Sequence, residues 1–128
     1  MSDYIQLIGH ALQAQCPATA KKSLLYAEVA DDVISCDILF ETAGGELELR
    51  FASHGLRDLT YEFWEAGTTH VPPRSWRAME YVLVHAQLRL DFAYPNQLNE
   101  EESEHERRPR AIARHFPGLQ VNYSRPYG

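Results

Sequence analysis

The dipeptide Gly44-Gly45 constrains this chain more than any other feature, because of what stands on either side of it. VISCDILFET (Val33–Thr42) precedes it and ELELRFA (Glu46–Ala52) follows, and both alternate apolar with polar residues. Two such runs joined by glycines, which supply the positive φ angles of a tight turn, form an antiparallel hairpin. An alternating strand has one apolar face, and that face must be covered by another layer. In the sequence Ile34, Cys36, Ile38 and Phe40 share one side, and Leu47, Leu49 and Phe51 are expected to join them. Ser35, Asp37, Glu41, Glu46, Glu48 and Arg50 then take the other side, which reads as solvated and acidic.

The neighbouring segments extend this hairpin. SLLYAEVA (Ser23–Ala30) reaches it through the polar turn Asp31-Asp32 and is apolar on both faces, with Glu28 expected on the acidic side. Trp76–His85 and Leu88–Tyr94 make two more strands around a short turn near Ala86-Gln87, with Arg89 and Asp91 opposite Leu88, Leu90, Phe92 and Tyr94. Helical spacing of Tyr4, Ile5, Ile8, Ala11 and Leu12 predicts a first helix over Asp3–Gln15, stopped by Pro17 and weakened by Gly9 in its interior. Leu56, Leu59 and Phe63 predict a second over Leu56–Ala66, ended by Gly67, before a loop with Pro72-Pro73. A third helix follows the acidic run Glu100-Glu101-Glu102. It either begins near Arg107-Arg108 or kinks at Pro109, carries a narrow stripe of Ala111, Ile112, His115 and Phe116, and ends at Pro117-Gly118.

The predicted order is α-β-β-β-α-β-β-α. This is an α+β fold in one domain over residues 1–118, a mainly antiparallel five-stranded sheet with its helices on one face. Residues 119–128 are expected as a C-terminal tail without assigned structure.

With 45% apolar and 23% charged residues among 128, the chain belongs with globular domains, not disordered ones. Its apolar runs are too short for a membrane helix, and the N-terminus lacks the basic start and continuous apolar run of a secretory signal. Cys16 and Cys36 lack metal or redox spacing and read as small buried hydrophobes in a reducing cytoplasm. The net charge of −6 is uneven. Met1–Ala66 holds eleven Asp/Glu against four Lys/Arg, and the remainder seven against eight. That distribution disfavours nucleic acid as a partner and fits a basic protein, although solubility accounts for such an excess equally well.

A search for chemistry returns little. The six histidines show no HxxH or HExxH spacing, and no cofactor or metal site is expected. His85 falls in a strand and reads as half-buried and structural. No serine has a nucleophile elbow, and Gly44-Gly45 is spent on a hairpin instead of a phosphate loop. The arginines 107, 108, 110 and 114 follow five glutamates within Glu100–Glu106, so local salt bridging at helical spacing is the simpler reading than an RNA patch. Trp64 and Trp76 suit a core or rim position, or an interface anchor.

Four segments, taken together, resemble a known family. KKSLLYAEVADD (Lys21–Asp32), RSWRAMEYVLV (Arg74–Val84), LRLDFAYPN (Leu88–Asn96) and SEHERRPRAIARHF (Ser103–Phe116) are similar in order and spacing to the YezG-like bacterial antitoxins, the immunity proteins of polymorphic toxin systems. The correspondence rests on Tyr26, Glu28, Trp76, Asp91, Phe92, Tyr94, Glu106 and Arg107 and runs over nearly the whole chain, to Phe116. The resemblance implies a cytoplasmic, non-catalytic protein that binds and blocks a cognate toxin domain, commonly a nuclease. A nuclease cleft is electropositive, so an acidic sheet face is the expected contact, formed by Glu28, Asp37, Glu46 and Glu48 with Asp91 extending it. The alternatives are a regulatory or adaptor module of the same fold and a small hydrolase with a dispersed site.

Overall fold

The computed structural model describes residues 2–31, 33–69, 75–85, 87–98, 101–119 and 121–122. Asp32, His70, the Pro72-Pro73 loop, Ala86, Glu100 and tail residues 120 and 123–128 lie outside them. The elements are α1 (Ser2–Gln15), β1 (Lys22–Ala30), β2 (Val33–Glu41), β3 (Leu47–Phe51), α2 (His54–Thr68), β4 (Ala78–Val84), β5 (Gln87–Ala93), α3 (Glu104–His115) and β6 (Val121–Asn122). The α+β class, the five antiparallel strands and their order are as expected. Within this order β6 adds a two-residue parallel strand on β3, giving the spatial order β5-β4-β1-β2-β3-β6. The chain after Gly118 is therefore not a detached tail as far as Val121: Leu119 and Val121 pack on the core beneath α3.

Each hairpin turn has its own device. Between β2 and β3 the Gly45 N–H donates to the Thr42 carbonyl (3.0 Å), and Gly45 takes φ 82° before the ladder resumes with Thr42 N–H to Glu46 O (2.7 Å). A turn followed by a left-handed residue is a three-residue hairpin loop, and glycine adopts it without strain. At the β1–β2 and β4–β5 turns, Asp31 (φ 53°) and His85 (φ 50°) take the same region without glycine. His85 is thus an exposed turn residue and not a half-buried strand residue.

The expectation of helices on one face is corrected. The sheet is covered on both. One core joins Ile8 and Leu12 of α1 and Leu56 and Phe63 of α2 to Leu25, Ala27, Ile38, Phe40, Met79 and Tyr81. The other joins Ala111 and Ile112 of α3, with Phe116, to Leu24, Tyr26, Leu39, Leu47, Leu49 and Val82. The physical reason lies in β1, apolar on both faces, and in the register of β3. Asp37 stands opposite Phe51 and Leu39 opposite Leu49, so Leu47 and Leu49 share the α3 face with Asp37. Glu48 and Arg50, paired with Phe40 and Ile38, fall on the α1–α2 face.

Helix details differ too. Gly67 is buried within α2, which continues to Thr68 behind an N-cap Ser53 whose hydroxyl accepts from Leu56 N–H (3.1 Å). Pro109 lies inside α3, which starts at Glu104. Gly9 has a packing reason: the Tyr81 hydroxyl, donating to Ile5 O (2.6 Å), passes so close that a Cβ at position 9 would lie 2.6 Å from its oxygen. Among the described residues no helix is long and apolar enough to cross a membrane.

Candidate protein-binding surface

Under α3 the strands present carboxylates, and α3 answers each with a cation. Arg107 grips Glu28 with two bonds, Nε to Oε2 (2.9 Å) and Nη2 to Oε1 (2.5 Å), the side chains being 8% and 4% exposed. Tyr26 donates its hydroxyl to the same carboxylate (2.5 Å), and Arg107 Nη1 reaches the Glu102 carbonyl (2.5 Å). Arg108 Nη1 donates to Asp37 Oδ2 (2.6 Å), Arg114 meets Glu80, and His115 Nε2 contacts the other oxygen of Glu80 (2.6 Å). Ser35 donates to Glu104 (2.6 Å). Lys22 donates to the His115 carbonyl at the C-terminal end of α3, where a cation complements the helix dipole. The bonds from Glu28 hold the Arg107 guanidinium above its ordinary pKa, and burial, reinforced by Glu28, raises the Tyr26 phenol. The arginines of α3 were expected to pair locally. Arg110–Glu102 (2.5 Å) and Arg108–Glu104 (3.8 Å) do, but the bonds to Glu28, Asp37 and Glu80 cross to the sheet.

The five residues expected on one acidic face are therefore not together on an open surface. Glu28 and Asp37 are buried beneath α3. Glu48 is buried on the opposite face, paired with Arg50 (2.9 Å), whose guanidinium lies over the Phe40 ring (4.7 Å) and donates to the Gln15 carbonyl that ends α1 (3.3 Å). Only Glu46, at the β2–β3 turn, and Asp91, on strand β5 at one edge of the sheet, are exposed.

The concavities divide in the same way. A cleft of about 440 Å³ between α3 and β4 is lined by Tyr26, Glu80, Glu102, Arg107, Arg110 and Arg114, whose charges are already paired within the fold, Arg107 with Glu28 and the others with one another. A smaller one, about 290 Å³, holds Cys16, Ser23 and His85. Burial pushes the Cys16 thiol up to about 11, and Cys36 to about 12, so neither is a thiolate at neutral pH. Among the described residues no three His, Cys, Asp or Glu side chains converge as metal ligands.

A third concavity, about 680 Å³, differs in character. It is a shallow groove between the start of β2 and the outer side of α2, lined by Val33, Ile34, Arg57, Asp58, Tyr61 and Glu62. Periodicity builds it: Leu56, Thr60, Phe63 and Gly67 point inward, which turns Asp58, Glu62 and Glu65 to solvent. No ion pair joins those three carboxylates to a cation among the described residues, and like charges at this spacing cost helix stability. Val33 is 69% exposed, the most exposed large aliphatic residue described. Tyr61 stacks against Trp64 (5.5 Å between centroids), and Trp64 is anchored by its indole N–H on the Trp76 carbonyl (3.0 Å). An aliphatic and aromatic floor with a charged rim, where Asp58 and Glu62 outnumber Arg57, matches the anatomy of a protein interface. Sequence reasoning missed it while attending to the strands, although the spacing that predicts α2 also places residues 58, 62 and 65 on its outer side.

No protein-family model matches the chain, and no curated protein is significantly similar to it.

Proposed function

We propose that this chain is a cytoplasmic immunity protein that binds a cognate toxin domain, a basic nuclease, and neutralises it by steric and electrostatic blocking without chemistry of its own. It needs no cofactor and engages neither nucleic acid nor membrane. The reading draws on the family resemblance, and the observation that carries it is the outer side of α2. Asp58, Glu62 and Glu65 are exposed and have no ion-pair partner among the described residues, beside a groove floored by Val33, Ile34 and Tyr61. Exposed carboxylates such as these are available to a basic surface, whereas Glu28, Asp37 and Glu48 are occupied within the fold. Complementary charge of this kind speeds encounter and excludes wrong partners.

The test is co-expression with the toxin domain encoded beside this chain. Wild type restores growth and co-purifies with the toxin, and the triple variant Asp58→Lys/Glu62→Lys/Glu65→Lys folds normally but binds at least about tenfold more weakly. Failure of wild type to rescue removes the immunity reading. Rescue by the triple variant with undiminished affinity removes the α2 surface and leaves the class standing.

A further inference from the structure

Strand β5 is an edge. Among the described residues it pairs only with β4, in unbroken register from Ala78–Ala93 to Val84–Gln87, while β6 covers β3 at the far edge. A seven-residue edge strand without a proline or bulge offers a row of backbone donors and acceptors to another strand, a hazard that proteins ordinarily blunt. Here the side chains favour one partner. In QLRLDFA, a two-fold axis through Leu90 places Arg89 opposite Asp91 of a second copy, Asp91 opposite Arg89, Leu88 opposite Phe92, and Leu90 opposite itself.

We infer that two copies of this chain associate through antiparallel pairing of β5, centred on Leu90, into one continuous sheet. The geometry meets the requirement of an isologous interface, that each contact occur twice. Moving the axis one residue either way stacks Arg89 on Arg89 or Asp91 on Asp91, so charge selects the register. The side chains of Arg89 and Asp91 are 79% and 60% exposed and only 4.0 Å apart within one strand, leaving both open to a second partner. On the opposite side, Leu88 (42% exposed), Leu90 and Phe92 flank Leu83, Tyr81 and Met79 of β4. Pairing across the axis therefore extends the α1–α2 core into a shared apolar strip. Seven residues per strand make a small interface, so the dimer is reversible with a micromolar Kd, not obligate.

The inference is independent of the toxin proposal and is tested without a toxin. Sedimentation velocity on the purified chain, over about 1 to 300 µM, is expected to show a species moving toward twice the 14.7 kDa chain mass. Arg89→Asp and Asp91→Arg each place like charges across both symmetric positions and weaken the dimer about tenfold. The double variant Arg89→Asp/Asp91→Arg restores opposite charges and returns the Kd to that of wild type. Circular dichroism controls for folding, which these exposed positions leave intact. A wild type that stays at 14.7 kDa throughout overturns the inference. So does a dimer indifferent to both single variants, or a double variant as weak as the singles.

Discussion

Replacing Arg107 with methionine removes the guanidinium that holds Glu28 and leaves a carboxylate 4% exposed with the Tyr26 hydroxyl as its donor. Two unit charges about 3 Å apart attract by about 5 kcal/mol at an effective dielectric near 20. Withdrawing each ion from water costs several kcal/mol, so the intact pair contributes little on balance. Breaking it is another matter, because the desolvation of the remaining ion is no longer offset. Arg107→Met is expected to lose about 3–5 kcal/mol, and Glu28→Met a similar amount. The double variant Glu28→Met/Arg107→Met recovers most of this. What persists is about 1–3 kcal/mol for the Tyr26 hydroxyl, which has lost its acceptor, and Tyr26→Phe in the same background removes that remainder. Urea unfolding followed by circular dichroism measures all four variants, with an unchanged m-value required for the comparison. Two results refute the reasoning. A cost below about 1 kcal/mol for Arg107→Met is the behaviour of an exposed pair. A double variant as unstable as the sum of the singles shows that the two charges do not act on each other.

Gly9→Ala gains about 1 kcal/mol of helix propensity, yet the new Cβ would lie 2.6 Å from the Tyr81 oxygen and displace a buried hydroxyl from the Ile5 carbonyl. Strain and the lost bond outweigh the propensity, so a net loss of about 1–3 kcal/mol is expected. Thermal melts check it, with Gly9→Ala/Tyr81→Phe as the variant that returns most of the loss. Cys36 gives a pH dependence. Its thiol lies at about 12 in the fold against 9.0 for the free group, so the unfolded state loses its proton first. The stability due to Cys36 is fully present below pH 9.0 and is lost as pH rises toward 12. The slope is about 1.4 kcal/mol per pH unit, so the urea midpoint of wild type should fall relative to that of Cys36→Ala as pH rises between those limits.

The fold was largely legible because its signals are local. Strand alternation, the Gly44-Gly45 turn and the apolar spacing of α1 and α2 each act over a few residues. What misled was partnership at a distance. A strand such as LELRF carries apolar residues on one side and Glu48 with Arg50 on the other, and nothing within it says which side meets which helix. That follows from the pairing of Asp37 with Phe51, which exchanges the faces assumed from pattern alone. The carboxylates of Glu28 and Asp37 looked solvated for a related reason, since their cations lie 79 and 71 residues away. One long-range signal was present: a β1 strand apolar on both faces requires cover on both, and α3 is the element left to provide it. The outer side of α2 was overlooked because α2 was read only for what it buries, when its unburied side carries three acids with no ion pair among the described residues.

The contacts of α3 have a consequence for how tightly its position is defined. A helix resting on aliphatic side chains can rotate or slip along its axis at modest cost, because dispersion has little directional preference. Arg107, Arg108 and Arg114 instead reach carboxylates on three different strands, β1, β2 and β4, so one rotation and one axial setting satisfy all of them together. The joint behaves like a key with three teeth. Replacing every tooth, together with the carboxylate it meets, by hydrophobes would keep the helix attached, while letting it seat in more than one way.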